Sequence, residues 1–255
     1  MSAVDSIPEQ VPISVLGGPT VVIGYGGLRF LTDPTFDSPQ SYPGTPTLTK
    51  TAPSLAGADD LGPVDVVLLS HDEHADNLDT SGRAFLDRVP LTLTTPSGAA
   101  RLGGTARALP NWTSVELRRP DGGTVTVTGT PALHGPEGCE PVTGEVIGFV
   151  LTAADLPTVY VSGDNAAIDV VHQIADRLGP VDTAVLFAGA VRFPPLFDNA
   201  LITLDGAGAA QAASILSARR VVPAHVDSWA HFTEGLDEFV AAFDAADLHD
   251  RLQLP

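Results

Sequence analysis

The sequence predicts a mixed α/β protein. Three observations carry that expectation. Short β-branched and apolar runs recur along the chain, as in residues 20–23, 66–69, 124–127 and 183–187. Segments with helical spacing follow several of these runs, so strands and helices alternate. Finally, four of the runs end at, or shortly before, a histidine or aspartate in a turn-forming context.

The elements follow in order. Residues 1–10 read as a frayed N-terminus. Residues 13–16 and 20–23 read as strands joined at Gly17-Gly18, and Gly26-Gly27 turns the chain into a third strand at 28–31. Residues 34–56, rich in Pro, Thr and Ser, read as a long loop leaving the sheet at Asp33. Loops of more than about 12–15 residues are often functional, so this one is expected at the border of a cleft or as a surface excursion. Residues 65–70 form a buried strand, 77–88 a helix, 91–94 a short strand and 96–102 a short helix. Alternation at 115–117 and 124–127 around Asp121-Gly122-Gly123 marks a hairpin. Strands follow at 146–151 and 158–161. The helix at 166–178 places Ile168, Val171, Ile174 and Ala175 on one face and leaves His172 on the surface. A strand at 183–187, an alanine-rich helix at 204–218, a strand at 220–222, a helix at 232–248 and a final strand at 252–254 complete the chain. His249 is assigned to the dipole of that last helix.

Composition narrows the function. The chain has 255 residues, 44% of them hydrophobic, enough for one folded domain, taken as 1–255. The formal net charge is −18, with Lys50 the single lysine beside twelve arginines. Such a surface repels nucleic-acid phosphates, so no nucleic-acid partner is expected. No apolar run approaches the roughly 18 residues of a membrane span, and no membrane association is expected. The start of the chain lacks the basic and apolar parts of a secretory signal, and the lone Cys139 cannot form an internal disulfide. A cytoplasmic protein with a small-molecule substrate is the expectation, and a homo-oligomer is left open. Cys139 reads as a small loop residue.

The most informative stretch is Ser70-His71-Asp72-Glu73-His74-Ala75-Asp76-Asn77-Leu78-Asp79, directly after the strand at 65–70. Two histidines and four carboxylates at a strand end suit a divalent cation such as zinc better than they suit packing. Three more ligand types recur in matching contexts: His134 after Pro131-Ala132-Leu133, Asp164 after Val161-Ser162-Gly163, and His225 after Val222-Pro223-Ala224. Delivered to one sheet edge, they would line a metal cleft.

That order of residues resembles the metallo-β-lactamase-fold hydrolases, whose pattern is His-x-His-x-Asp-His followed by His, Asp and His. Leu31-Thr32-Asp33-Pro34 is similar to the family's early strand motif, and Leu78-Asp79 to its common extension. The resemblance runs from about residue 12 to the end of the chain and looks closest to the ascorbate-6-phosphate lactonase branch. It implies a four-layer αββα sandwich with the metal at one edge between two sheets. The chain departs from the pattern in the first motif, where His71 and His74 stand three apart instead of two. Alignment from the C-terminal side keeps Asp76-Asn77-Leu78-Asp79 in register and displaces His71 by one residue. Alignment from His71 instead puts Glu73 in the second histidine position. Either way Asn77 stands where the family has a histidine, and Glu73 is a candidate oxygen donor.

The resemblance implies His71, His74 and His134 on a first metal, Asp76 and His225 on a second, and Asp164 between them. One or two zinc ions are expected, with manganese or iron as other options. Asp76 would orient the attacking water, and Asp33 and Asp79 would fix imidazole tautomers. Arg192, Phe193, Trp229 and His231 are expected in the substrate pocket, and Phe197 in the core. The implied function is metal-dependent hydrolysis of a small ester, lactone or phosphodiester. The competing reading is a non-catalytic or regulatory relative with a degenerate site, motivated by Asn77 and the stretched first motif.

Overall fold

The computed structural model describes residues 10–194 and 196–254, so the expected frayed segment lies outside the described residues except for the exposed Gln10. Strands β1 (Ile13–Gly17), β2 (Thr20–Tyr25) and β3 (Leu28–Thr32) form an antiparallel meander. The long loop that follows carries a separate two-stranded hairpin, β4 (Ser41–Tyr42) and β5 (Leu48–Thr49). Strand β6 (Val66–Leu68), helix α1 (Thr80–Leu86), β7 (Leu91–Thr94), α2 (Pro96–Leu102) and β8 (Ala106–Ala108) extend the first sheet with parallel pairings. The second sheet begins with β9 (Ser114–Arg118) and β10 (Thr124–Ala132). After the short α3 (Glu140–Thr143) come β11 (Val146–Ala153) and β12 (Leu156–Val161). Then α4 (Ile168–Leu178), β13 (Thr183–Phe187), α5 (Gly206–Ile215), β14 (Arg220–Ala224) and α6 (Leu236–Ala245) complete it. The two six-stranded orders are β1-β2-β3-β6-β7-β8 and β14-β13-β12-β11-β10-β9.

Side-chain alternation explains the layers. In β13, Val185 and Phe187 enter the core between the sheets, while Ala184 and Leu186 face α4, α5 and α6. In β6, Val66 and Leu68 join the same central core, while Val67 and the following Leu69 pack with Phe85 and Leu86 of α1. Strands buried on both faces read as continuous apolar runs. Each fully buried Val, Leu, Ile or Phe contributes roughly 1.5–3 kcal/mol. The result is helices, sheet, sheet, helices: the αββα sandwich.

Several boundaries differ from the sequence expectation, for local reasons. Helix α1 starts at Thr80 because Asp79 is its N-cap, accepting the Gly82 N–H at 2.8 Å. Asp205 caps α5 in the same way and delays its start to Gly206. Helix α6 starts only at Leu236, where Glu238 bonds back to the Gly235 N–H. The preceding residues form a loop instead. Strand β8 and helix α3 carry too little periodicity to read. The expected terminal strand reduces to one parallel bridge between Leu252 and Val221. His249 pairs with Asp244 rather than lying in the last turn of α6.

Strand direction positions the site. β12, β13 and β14 run parallel, and β10 points the same way because two antiparallel steps separate it from β12. The C-terminal ends of β10, β12 and β14 therefore share one edge. The end of β6 joins them through the Ile147 N–H, which donates to the Ser70 carbonyl at 3.1 Å across the two sheets.

Candidate metal centre

Two groups of side chains converge at that edge: His71, His74 and His134, and next to them Asp76, Asp164 and His225. In the first, His74 Nδ1 lies 2.9 Å from His71 Nε2 and 3.3 Å from His134 Nε2. Ligands held about 2.0–2.2 Å from one ion at tetrahedral or octahedral angles stand roughly 3–3.5 Å apart. The outer nitrogens are already engaged: His134 Nδ1 donates to the Ile202 carbonyl at 2.6 Å, and His71 Nδ1 faces Ser70 Oγ at 3.0 Å. The Ile202 carbonyl assigns the His134 proton to Nδ1 and leaves its Nε2 lone pair facing inward, and Ser70 Oγ is able to accept from His71 Nδ1 in the same way. Burial holds His71 well below, and His134 below, the ordinary imidazole pKa, so both stay neutral.

The second group is charged. His225 lies between two carboxylates, with Asp164 Oδ1 at 3.0 Å from Nδ1 and Asp76 Oδ2 at 3.4 Å from Nε2. Burial opposes a charge on His225, but Asp164 and Asp76 outweigh it and push its pKa up to about 10. Burial likewise opposes the two carboxylates. His225 and His231 nevertheless hold Asp76 well below the usual range, and His225 together with His134 and His71 lowers Asp164. Asp164 also reaches the first group, with Oδ2 3.6 Å from His134 Nε2.

Despite these short distances, Asp76 Oδ1, Asp164 Oδ1 and both His225 nitrogens are buried with no hydrogen-bond partner. Buried polar atoms are rarely left unpaired. Here the donor atoms crowd together without hydrogen-bond alignment, as atoms do when they share a common target. Imidazoles beside ionised carboxylates are the donor chemistry of a divalent transition metal, which on binding would displace the proton that His225 holds between its two carboxylates. The residues present fit such an ion in both groups.

Local backbone geometry serves these positions. Gly163 adopts φ +58° immediately before Asp164, and a Cβ there would lie 2.5 Å from the Ile147 carbonyl. His225 itself has φ 57°, a conformation L-residues seldom adopt, and its N–H donates to the Gly18 carbonyl at 2.7 Å. Such strain persists where surrounding structure enforces it.

A cavity of about 310 Å³ opens above the clusters. Its floor includes His74, Asp76, His134 and His231, and its walls include Tyr42 and Leu48 of the β4–β5 hairpin together with Val142, Val191, Phe193 and Leu196. The expected long loop therefore does border the cleft. A larger hollow of about 570 Å³ beside Tyr25, Arg29 and Arg119 contains none of the clustered ligands, so the chemistry belongs to the smaller one.

A family model described as a beta-lactamase superfamily domain matches residues 28–226. The chain belongs to the metallo-β-lactamase superfamily. A metal-dependent hydrolase from Methanosphaerula palustris is 30% identical over 190 residues, covering 71% of this chain and 76% of the relative. Among solved structures, an isothiocyanate hydrolase from Delia radicum gut bacteria superposes with a TM-score of 0.79 at 22% identity, covering 95% of each chain. A metallo hydrolase from Ignicoccus hospitalis superposes with a TM-score of 0.70 at 18% identity, covering 96% of this chain and 94% of that one. At these identities the structural likenesses speak to the fold.

Within this superfamily member, the structure divides the acidic stretch at 70–79. His74, not Glu73, turns into the cluster, through bends at Asp72 and Glu73 that set the His71 and His74 rings edge to face, 4.8 Å apart. Glu73 is not among the clustered donors. Its carboxylate pairs with Arg101 at 3.0 Å, and the same arginine holds Asp72 at 2.5 Å. Both acids are thereby drawn away from the metal position.

Five further expectations need correction. Asp79 touches no histidine: besides capping α1 it accepts the Asp37 N–H and pairs with Lys50. Asp33 reaches no imidazole either. It accepts the Ser70 N–H at 2.7 Å, so it supports the strand end that carries His71. Full burial pushes its carboxyl well above the usual range, and the Ser70 N–H offsets only part of that. Arg192 points to Asp205, 3.8 Å away, and does not line the cavity. Trp229 stands behind the wall, 4% exposed and packed on Tyr42. Phe193 and His231 do line the cavity, stacked with their ring centroids 5.8 Å apart. Phe197 is half-buried in a one-turn 3-10 helix, outside the core clusters. Cys139 is fully buried against Gly135, at the start of α3. The contributions of Ser70, Ile202 and Arg101 had no sequence signal: a serine, a carbonyl and a surface-type arginine acquire roles only through contact.

Proposed function

We propose that this protein is a metal-dependent hydrolase of small, uncharged, apolar esters or lactones. The observation that supports this best is a three-imidazole cluster at the floor of an apolar-walled cavity. Three protein ligands leave a coordination position open, as catalytic sites do and closed structural sites do not. That favours an enzyme over a non-catalytic relative. The relative's name from Methanosphaerula palustris points the same way.

His71, His74 and His134 would hold one ion, Asp76 and His225 another, with Asp164 reaching both groups. A divalent ion held there would supply an activated water, its pKa lowered to about 7, and a Lewis acid for the carbonyl; zinc is the metal we favour. Asp76, whose Oδ1 has no partner, would accept a hydrogen bond from the attacking water and orient it. Phe193, Leu196, Val191 and Leu48 exclude bulk water and hold the apolar part of the substrate.

Among the described residues lining the cavity there is no arginine or lysine, and the wall carries the acidic Glu73. The chain as a whole carries −18. Both disfavour a phosphodiester or a phosphorylated lactone. The likeness to the ascorbate-6-phosphate lactonase branch then extends to lactone opening and not to the phosphate. A cytoplasmic location agrees with the buried free thiol of Cys139. Among the described residues no helix is long and apolar enough to cross a membrane.

Zinc-loaded protein assayed against matched sets of uncharged aryl esters and lactones, and against a bis-aryl phosphodiester, tests this reading. Turnover of the uncharged set, abolished in His134→Ala, is expected. Preference for the phosphodiester, or no turnover of either with metal bound, would overturn it.

A further inference from the structure

The second group of donors is short of imidazole. Its members are two aspartates and one histidine, whereas the first has three histidines. The deficit traces to Asn77, which occupies the last position of the first motif. Asn77 is fully buried, and neither its amide oxygen nor its amide nitrogen has a partner. An amide is a weak ligand for a zinc-type ion compared with imidazole.

A fifth imidazole reaches the second group, at Asp76, from a distant part of the chain. His231, in the loop between β14 and α6, places Nε2 at 2.9 Å from Asp76 Oδ2. That oxygen also lies 3.4 Å from His225 Nε2, so Asp76 is flanked by two ring nitrogens at ligand-to-ligand spacing. His231 Nδ1 is buried without a partner, and the side chain is 7% exposed. Phe193 stacks on its ring, and Phe232 packs edge to face against both His231 and His225. The ring is therefore fixed, oriented toward Asp76, and lined up on the cavity side of the second group.

We propose that His231 ligates the ion of the second group, replacing from the β14–α6 loop the imidazole that the first motif lacks at Asn77. This deepens the metal-dependent reading and rests on it. The second position would then be built from Asp76, His225 and His231, with Asp164 reaching across to the first. A loop residue seven positions beyond the end of β14 carries no motif spacing, so only the folded chain brings it to Asp76, 155 positions away.

Elemental analysis of metal-stripped protein, reloaded with zinc and freed of excess by gel filtration, tests the proposal in the full chain. Wild type, His231→Ala, His231→Gln and the double variant Asn77→His/His231→Ala are compared, with thermal melts alongside. Glutamine keeps an N–H for Asp76 but lacks the imidazole lone pair, so it separates ligation from hydrogen bonding. About two ions in wild type, about one in both single variants, and recovery toward two in the double variant are expected. Two ions retained in His231→Gln would overturn the proposal and leave His231 a hydrogen-bond partner of Asp76. One ion in wild type would overturn it while leaving the metal-dependent reading intact. No ion in wild type would overturn both.

Discussion

Lys50 Nζ stands 3.2 Å from Asp79 Oδ2 with both side chains shut off from water, at 1% and 0% exposure. The single lysine of the chain thus ties the β4–β5 hairpin, which forms a wall of the cavity, to the start of α1. It also donates to the Thr35 carbonyl at 2.9 Å. Removing one partner of a buried pair leaves the other uncompensated, at about 3–5 kcal/mol. Lys50→Met is expected to lose about 3 kcal/mol or more in urea unfolding. A loss below about 1 kcal/mol would show that water reaches Asp79.

Asp37 makes the neighbouring contacts and predicts a pH dependence. Burial alone would raise its carboxyl, but Ser81 Oγ, the Tyr42 hydroxyl and the N–H groups of Ser81 and Thr80 outweigh burial and hold it below the ordinary value of 3.8. A folded-state pKa below the unfolded one stabilises above the unfolded value, and that stability is lost as pH falls through the folded value. Asp37→Asn should cost roughly 1.5 kcal/mol or more at pH 7. The gap to wild type should close as pH drops below about 4. Chemical denaturation at a series of pH values reads both, and a pH-independent gap would count against this account.

Gly163 is the residue whose freedom aims Asp164. An alanine would pay the left-handed penalty of roughly 1–2 kcal/mol, and its Cβ would press on the Ile147 carbonyl. Gly163→Ala is expected to lower the melting temperature and reduce bound metal together. Unchanged metal content in a folded variant would show that Asp164 is aimed by something else.

Ser70 touches no proposed ion, yet its Oγ is the partner of His71 Nδ1. Partners of this kind typically carry 10- to 100-fold in metal affinity. Ser70→Ala should weaken zinc binding by about that factor in competition with a chromophoric chelator, with little change in fold. Affinity equal to wild type would show that the His71 tautomer is set without Ser70.

Local chemistry made much of this protein legible in its sequence. Alternation in β10 and the apolar runs of β6 and β13 mark strands, because burial on one or both faces leaves a period of two or none. The ligand types at 71–76, 134, 164 and 225 are visible because imidazole and carboxylate at strand ends have few packing uses. The tertiary structure alone decided which of those groups face the cleft. Asp72 turns away and Glu73 stops at the cavity wall, off the donor cluster, because Arg101, some thirty residues on, claims both. Asp79 turns to Lys50 and the end of α1, Arg192 to Asp205, and Trp229 to the rear of the wall. His231 meets Asp76 only after β14 has docked beside β13. Secondary structure follows from short-range periodicity, which any window of sequence displays. The destination of a charged side chain depends on partners far along the chain, and those meet only when the two sheets close on each other.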